Sequence, residues 1–313
     1  MNGPRKATVG FIFVTLFLDV LGMGIVIPVA PRLIASFLAE PAAQSRAYGA
    51  FVAVYALMLF FFSPILGSLS DKVGRRPVIL GSLLGSALDY ILLAMAPSLW
   101  LLFVGRAISG ITGASAASVG AYIADVSPPE KRAQNFGMMG LAFGLGFIAG
   151  PLLGGLVGDL GERLGFGIRL PFYVAAALTL ANAMYGMFVL PESLPPKNRK
   201  PFTFASANPF AAIPALRKYP IVFDLAAAVC LRNLAEYSLH ATWVLYTTHK
   251  FGWSIRQNGI SLAVDGVVIA IVQGGLIRVV VPRFGERRAV IVGYVVAAAS
   301  YLFYGAATAG WMM

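Results

Sequence analysis

Ionisable side chains stand inside long apolar runs at a few positions of this 313-residue sequence, and these are the places where chemistry can occur. Asp19, Asp89, Arg106 and Asp265 each sit among apolar residues. A charge in hydrocarbon costs roughly 2.5–3.5 kcal/mol on insertion scales, so each calls for a partner or a wet cavity. Burial also disfavours the charged form of a carboxyl, which is what equips such a group to bind and release a proton. For Asp19, about ten residues into the first apolar run, two readings stand: a pairing that only locks helices, or a carboxylate that binds a proton or cation. Asp89 and Arg106 lie almost symmetrically about the Pro97-Ser98 turn. At 1.5 Å per helical residue each is roughly 13 Å from it, so the two share one depth on adjacent helices. The expectation is that they face each other or a common cavity. They then form either a static salt bridge or a relay in which protonation of Asp89 frees Arg106. Arg232 and Glu236 are four apart and share a helix face, which predicts a local ion pair. His240 continues that face, and Asn233, Glu236, Tyr237 and His240 are expected to line a substrate path. Asp265 has two roles open to it: pairing with Arg232, or binding a coupling ion.

These groups are positioned by a chain that is 58% hydrophobic and only 12% charged, about half the charge of a soluble domain. The class is an all-α polytopic membrane protein. Apolar runs of roughly 20 residues, enough to cross a bilayer core, are expected as nine helices. They fall at about 9–30, 48–69, 78–96, 100–124, 136–157, 171–190, 221–247, 259–281 and 289–309. The first is too long for a signal peptide and holds Asp19 in its middle. The proline-rich polar segment 191–220 divides the chain into a six-helix half (1–190) and a partial second half (221–313).

Between the second and third runs lies Gly67-Ser-Leu-Ser-Asp71-Lys-Val-Gly74-Arg75-Arg76-Pro77. Its four charges must sit in water at a bilayer face. Short cytoplasmic loops carry the Lys/Arg excess, so this face is the cytoplasm and the N-terminus is inside. Only Arg32, Arg46, Arg163, Arg169, Lys250 and Arg256 then fall on the other face, against a majority that includes Arg5, Lys6, Lys131, Arg132, Arg217, Lys218, Arg278 and Arg283. Asp71 is expected to pair with Arg75, Arg76 or Lys131. The net charge of +11 is thus a topology signal and an attraction to anionic lipid heads, not a nucleic-acid footprint. A single cysteine and two histidines give no metal-binding spacing, no cofactor is implied, and no nucleophile–base constellation marks an enzyme. A faint internal echo links Asp71-Lys-Val-Gly74-Arg75-Arg76 with Pro282-Arg-Phe-Gly285-Glu286-Arg287, as in parallel transporter repeats. Gly146, Gly150 and Gly154 recur every four residues beside Pro151, a spacing that lets helix backbones approach closely.

These motifs resemble those of the major facilitator superfamily, within it the drug/proton antiporters and the tetracycline efflux branch. The loop Gly67-x-Leu69-x-Asp71-x-x-Gly74-Arg75-Arg76 is similar to that family's cytoplasmic gate motif. Gly105-Arg106-x-x-x-Gly110-x-x-Gly113 resembles its helix-four motif, and Gly146-x-x-x-Gly150-Pro151-x-x-Gly154-Gly155 its antiporter motif. Phe17-Leu-Asp19, Leu88-Asp89-Tyr90, Ala121-Tyr-Ile-Ala-Asp125 and Leu190-Pro-Glu-Ser193 resemble the tetracycline branch. The resemblance implies a monomeric secondary transporter of the cell inner membrane that exchanges protons for tetracycline-like or other amphipathic drugs by alternating access. Asp19, Asp89, Arg106 and Asp265 would serve proton coupling, and the helix-five glycines a hinge or seal between the halves. The tetracycline exporters carry an acid in helix nine and a histidine in helix eight, where this chain has Ala297 and Ile269. The family has twelve helices. The alternatives are therefore a truncated, non-transporting fragment or a transporter of a small metabolite.

Overall fold

The computed structural model describes residues 9–203, 207–210, 220–272 and 276–312. Arg5, Lys6, Arg217 and Lys218 lie outside the described residues, as does the Arg278 side chain. The described residues form helices joined by short turns, with no strand among them. The first apolar run makes α1 (Val9–Val26), and the Pro28 turn separates it from a short α2 (Ala30–Ala35). α3 (Pro41–Val73) begins earlier than its hydrophobicity suggested. Glu40 is extended and Pro41 supplies a ready first turn, so polar residues that hydropathy assigns to a link are helical. Gly74, at φ +114°, ends α3 and admits α4 (Arg75–Met95) directly.

The fourth run is not one helix but two, α5 (Leu99–Gly113) and α6 (Ala116–Val126). The break follows Gly110 and Gly113, which lie against Tyr55 and Met58 of α3. α7 (Arg132–Arg163) runs through Pro151, and α8 (Leu170–Val189) closes the first six-run group. Beyond the linker come α9 (Pro220–Phe251), α10 (Ile255–Ile271), α11 (Ile277–Phe284) and α12 (Glu286–Ala306). α10 opens on a full capping box, with Ser254 accepting from the Gln257 backbone and Gln257 accepting from the Ser254 N–H. Gly285 takes φ +78° between α11 and α12, as Gly74 does between α3 and α4. The echo in sequence is thus also an echo in backbone form.

Six of the described helical stretches are long and apolar enough to cross a membrane, and Gly10–Val26 is a shorter apolar one. α9 is 32 residues long and carries Asp224, Arg232 and Glu236, which dilute its hydropathy. Two apolar cores lie within the first group. One gathers Leu21, Ile25, Leu33, Phe51, Leu93, Leu102 and Phe172, and also takes in Ile255 from α10. The other gathers Ile12, Leu16, Ile79, Leu83, Tyr122 and Ile123 toward the Gly74 end. Many large apolar side chains, among them Leu57, Phe60, Trp100, Phe188 and Leu302, point outward, as expected where lipid is the solvent.

Candidate functional site

Asp89 of α4 and Arg106 of α5 lie side by side, and Asp19 of α1 is within electrostatic reach of Tyr55 and Tyr90, as are both of them. The Asp89 side chain is fully buried, and neither carboxylate oxygen accepts a hydrogen bond. Ser109, one turn along from Gly105, is the nearby donor, but it completes no hydrogen bond to either oxygen. The carboxyl lies instead against the Gly105 backbone: a Cβ there would stand 2.8 Å from Asp89 Oδ1. Gly105 therefore makes the space into which Asp89 reaches. Arg106 follows it in sequence, yet no ion pair joins Arg106 and Asp89 among the described residues. Its guanidinium lies over two rings of α3, with Cζ 4.1 Å from the Tyr55 centroid and 5.0 Å from that of Phe51. Of the two arrangements expected, the static Asp89–Arg106 salt bridge is absent among the described residues, and a cation–π arrangement stands beside an unpaired acid. The two groups do share a depth and remain within electrostatic reach.

Tyr55 is the hub that the sequence did not single out. Its ring carries Arg106, and Asp19, Asp89 and Tyr237 of α9 all lie within electrostatic reach. Its hydroxyl stands 4.0 Å from Met23 Sδ and close to Gly113. Tyr48, Phe51 and Tyr55 lie at helical spacing on one face of α3. That periodicity was visible in the sequence, but nothing there showed which helix the face met.

At the other end of the bundle the Gly74 motif builds a charged network. Arg75 is buried. It pairs with Asp71, places Nε 3.2 Å from Asp125 Oδ2 and donates to Ser70 Oγ at 2.6 Å. Of the three partners considered for Asp71, only Arg75 is found among the described ion pairs. Glu192 completes the network from beyond α8. Its two oxygens accept the Arg75 and Arg76 backbone N–H groups at 2.9 and 3.3 Å, capping the amino end of α4. A carboxylate there meets both unsatisfied donors and the positive end of the helix dipole. Gly74 must be glycine on two counts: its φ is positive, and a Cβ would run into the Glu192 carboxylate. Arg76 donates to the Met187 carbonyl, Ser193 to Asp125 at 3.1 Å, and the Lys200 N–H to the Asp71 carbonyl at 3.0 Å. Gly67, earlier in the motif, faces Ala117 of α6. The linker is therefore tied onto the motif.

The glycines of α7 make two seams. Gly146, Gly150 and Gly154 face α1, where Cβ atoms would strike Val20, the Gly24 Cα at 2.7 Å and the Ile25 carbonyl. Pro151 also presses on Gly24. The contact with α10 runs through other residues: Gly155 meets Gly259, Gly158 meets Ile255, and Gly266 meets Ile148. The close packing between the two helical groups on α7 is made one residue round the helix from the three spaced glycines.

In the second group Arg232 and Glu236 form the expected ion pair, and Arg232 also donates to Asn233 Oδ1 at 3.3 Å. Asp265 meets His240, not Arg232, with Nε2 3.7 Å from Oδ2. The His240 Nδ1 lies 2.9 Å from the Glu236 carbonyl. Tyr237 is largely exposed on α9. Trp243 donates to Ser261 at 3.0 Å and stacks edge-on with Tyr304 of α12. At the end of the bundle away from Gly74, Arg32 joins three elements. It reaches Glu162 of α7 at 3.2 Å and the Trp253 carbonyl of the α9–α10 turn at 3.3 Å. A cavity of about 500 Å³ opens beside it, lined by Gln44, Ser45, Val244, Thr248 and His249 among others.

Apolar helices around a charged, partly unpaired centre, with polar ties at both ends, define a multi-span membrane protein. Residues 12–313 match the Major Facilitator Superfamily. The tetracycline resistance protein of class C from Escherichia coli is 40% identical over 298 residues, which cover 95% of this chain and 73% of that protein. The class B protein, also from Escherichia coli, is 34% identical, with 100% and 75% covered. Multidrug resistance protein 2 of Bacillus subtilis (strain 168) is 28% identical, with 87% and 66% covered. Among solved structures, a bacterial homolog of the human lysosomal transporter Spinster, inward-facing and unoccupied, superposes with a TM-score of 0.74 at 18% identity, covering 97% of this chain and 69% of that one. The human organic anion transporter MFSD10 gives 0.70 at 23%, with 97% and 79% covered. The chain belongs to the Major Facilitator Superfamily.

Proposed function

We propose that this protein exports tetracycline-like or other amphipathic drug-like molecules across the cell inner membrane in exchange for protons, by alternating access between residues 1–190 and 221–313 joined by the linker 191–220. The observation that carries the reading is the fully buried Asp89 carboxyl, unpaired beside a guanidinium that has a second resting place. A carboxyl with no fixed partner in an apolar setting is equipped to take up and give back a proton. The tetracycline resistance relatives support the substrate class. Alternation is supported by the Arg32 tie and the α7–α10 seam, which join the two groups. By the distribution of Lys and Arg the Gly74 end is cytoplasmic and the N-terminus is inside. The protein works as a monomer in the bilayer.

The test is substrate-triggered proton movement in everted vesicles, with tetracycline and a panel of amphipathic dyes, beside Asp19→Asn and Asp89→Asn. Proton release by the parent protein that both variants lack is the expected result. Silence across the panel from inserted, folded protein would overturn proton-coupled drug export. A response to dyes but not tetracycline would move the substrate within the amphipathic class, as Ala297 and Ile269 suggest.

A further inference from the structure

The rings of Phe51 and Tyr55 do more than fill space beside Arg106. The guanidinium has two possible partners at one depth: the rings of α3 and the carboxylate of α4. In this structure it lies on the rings, 4.1 and 5.0 Å from their centroids. Asp89, fully buried, has neither an ion pair nor a hydrogen bond. The Arg106 Nε is likewise buried without an acceptor, so the cation is held by the ring faces and not by a hydrogen-bonded anion. The ring positions are themselves fixed. The Tyr55 hydroxyl lies against Gly113, its backbone against Gly110, and Phe51 is buried edge-on to Phe103. Side chains at 110 or 113 would displace the ring, since a Cβ at Gly110 would stand 2.6 Å from the Tyr55 carbonyl and one at Gly113 2.9 Å from its hydroxyl.

We propose that Phe51 and Tyr55 are positioning residues that hold the Arg106 guanidinium off Asp89, so that the acid is left free to carry a proton while Arg106 rests on the rings. The inference rests on the proton-exchange reading above, and it names the residues that set the resting state of that exchange. When Arg106 moves to Asp89, the carboxylate is the charged partner of an ion pair. When Arg106 returns to the rings, the carboxylate is alone in an apolar pocket and binds a proton. Tyr55 also lies within electrostatic reach of Tyr237 on α9.

The test needs neither substrate nor gradient. Dicyclohexylcarbodiimide reacts with protonated carboxyls in apolar surroundings, and peptide mass spectrometry reads the label at Asp89 separately from Asp19. The parent protein is expected to label at Asp89. Tyr55→Phe keeps the ring and should label at the parent level. Phe51→Leu with Tyr55→Leu removes both ring faces and shifts Arg106 toward Asp89 by roughly 30-fold, the worth of a desolvated cation–π contact. Most of the Asp89 label should then be lost. In an Arg106→Ala background the same two changes should have no effect. Loss of label that persists without Arg106 would show a general packing defect and overturn the proposal. So would full labelling in the doubly substituted protein, or a parent that does not label at all. Where the double variant fails to fold, Phe51→Leu alone, compared with and without Arg106, answers the same question. A proton-silent but normally labelled protein would leave the positioning intact and refute only the transport reading.

Discussion

Two glycines on one helix should respond in opposite directions to the same substitution. Gly150 of α7 faces α1, and a Cβ there would stand 2.7 Å from Gly24 Cα and 2.8 Å from the Leu21 carbonyl. Both are backbone atoms, so no rotamer change relieves the contact. Carbon atoms rest about 3.5–4.0 Å apart, so Gly150→Ala requires α7 and α1 to separate by roughly 1 Å. A gap of that size forfeits up to about half the dispersion energy of neighbouring contacts, here those of Val20, Leu21 and Ile25. Overpacking of this kind costs about 1–3 kcal/mol. Gly140, ten residues earlier, has nothing within 4 Å of its added Cβ. There the change only restricts the backbone, and alanine should stabilise the helix by about 0.5–1 kcal/mol. Thermal unfolding in detergent, followed by the emission of the four tryptophans, should place Gly140→Ala at or above the parent midpoint and Gly150→Ala several degrees below it. Equal midpoints for the two variants would refute the reading of α7 as a helix whose glycines differ by what they face.

Glu192→Gln should keep a single weaker acceptor at the start of α4, costing about 1 kcal/mol; hydrogen exchange at Arg75 and Arg76 should rise while that at Leu83 does not. Unchanged exchange would mean that Glu192 is not the cap. Arg32→Gln loses the bridge to Glu162 and weakens the hold on the Trp253 carbonyl. A cysteine placed at Ser254, in protein with Cys230→Ala, should then react faster with a membrane-impermeant maleimide from the side opposite Gly74. Asp265→Asn removes the only described ionic partner of His240 and should leave the Arg232–Glu236 pair in place. The imidazole resonance of His240, one of two in the protein, should move while that of His249 stays.

Much of the helical layout was legible because apolar length is a strong signal in a membrane protein. The break between α5 and α6 was not. It arises where Gly110 and Gly113 fit against Tyr55, and composition does not say which neighbour a glycine will meet. The extension of α3 back to Pro41 was hidden for a different reason, since polar residues outside the apolar run can still be helical. At the centre, the depth shared by Asp89 and Arg106 followed from counting residues about Pro97-Ser98. The choice of partner did not follow, because an arginine in hydrocarbon can be met by a ring face as well as by an acid, and the rings lie some fifty residues away in sequence. Glu192 was visible only as part of a resembling motif. Its use as a helix cap depends on the linker folding back over Gly74, a long-range contact. Asp265 had two candidate roles in sequence and in the fold meets a third group, His240.

The seam between α7 and α10 has one further consequence. Gly155 and Gly259 meet backbone to backbone, while Ile255 seats against Gly158 on one side of them and Ile148 against Gly266 on the other. Knobs in holes resist sliding because each must climb out of its socket, whereas two smooth rods resist being pulled apart far more than being moved lengthwise. With an isoleucine knob on either side of the smooth contact, the seam is less a rail than a fulcrum. Lengthwise travel of α10 must lift both isoleucines out of their seats, whereas rocking about Gly155–Gly259 need not. The polar tie of Arg32 to Glu162 and to the Trp253 carbonyl adds to that resistance at one end.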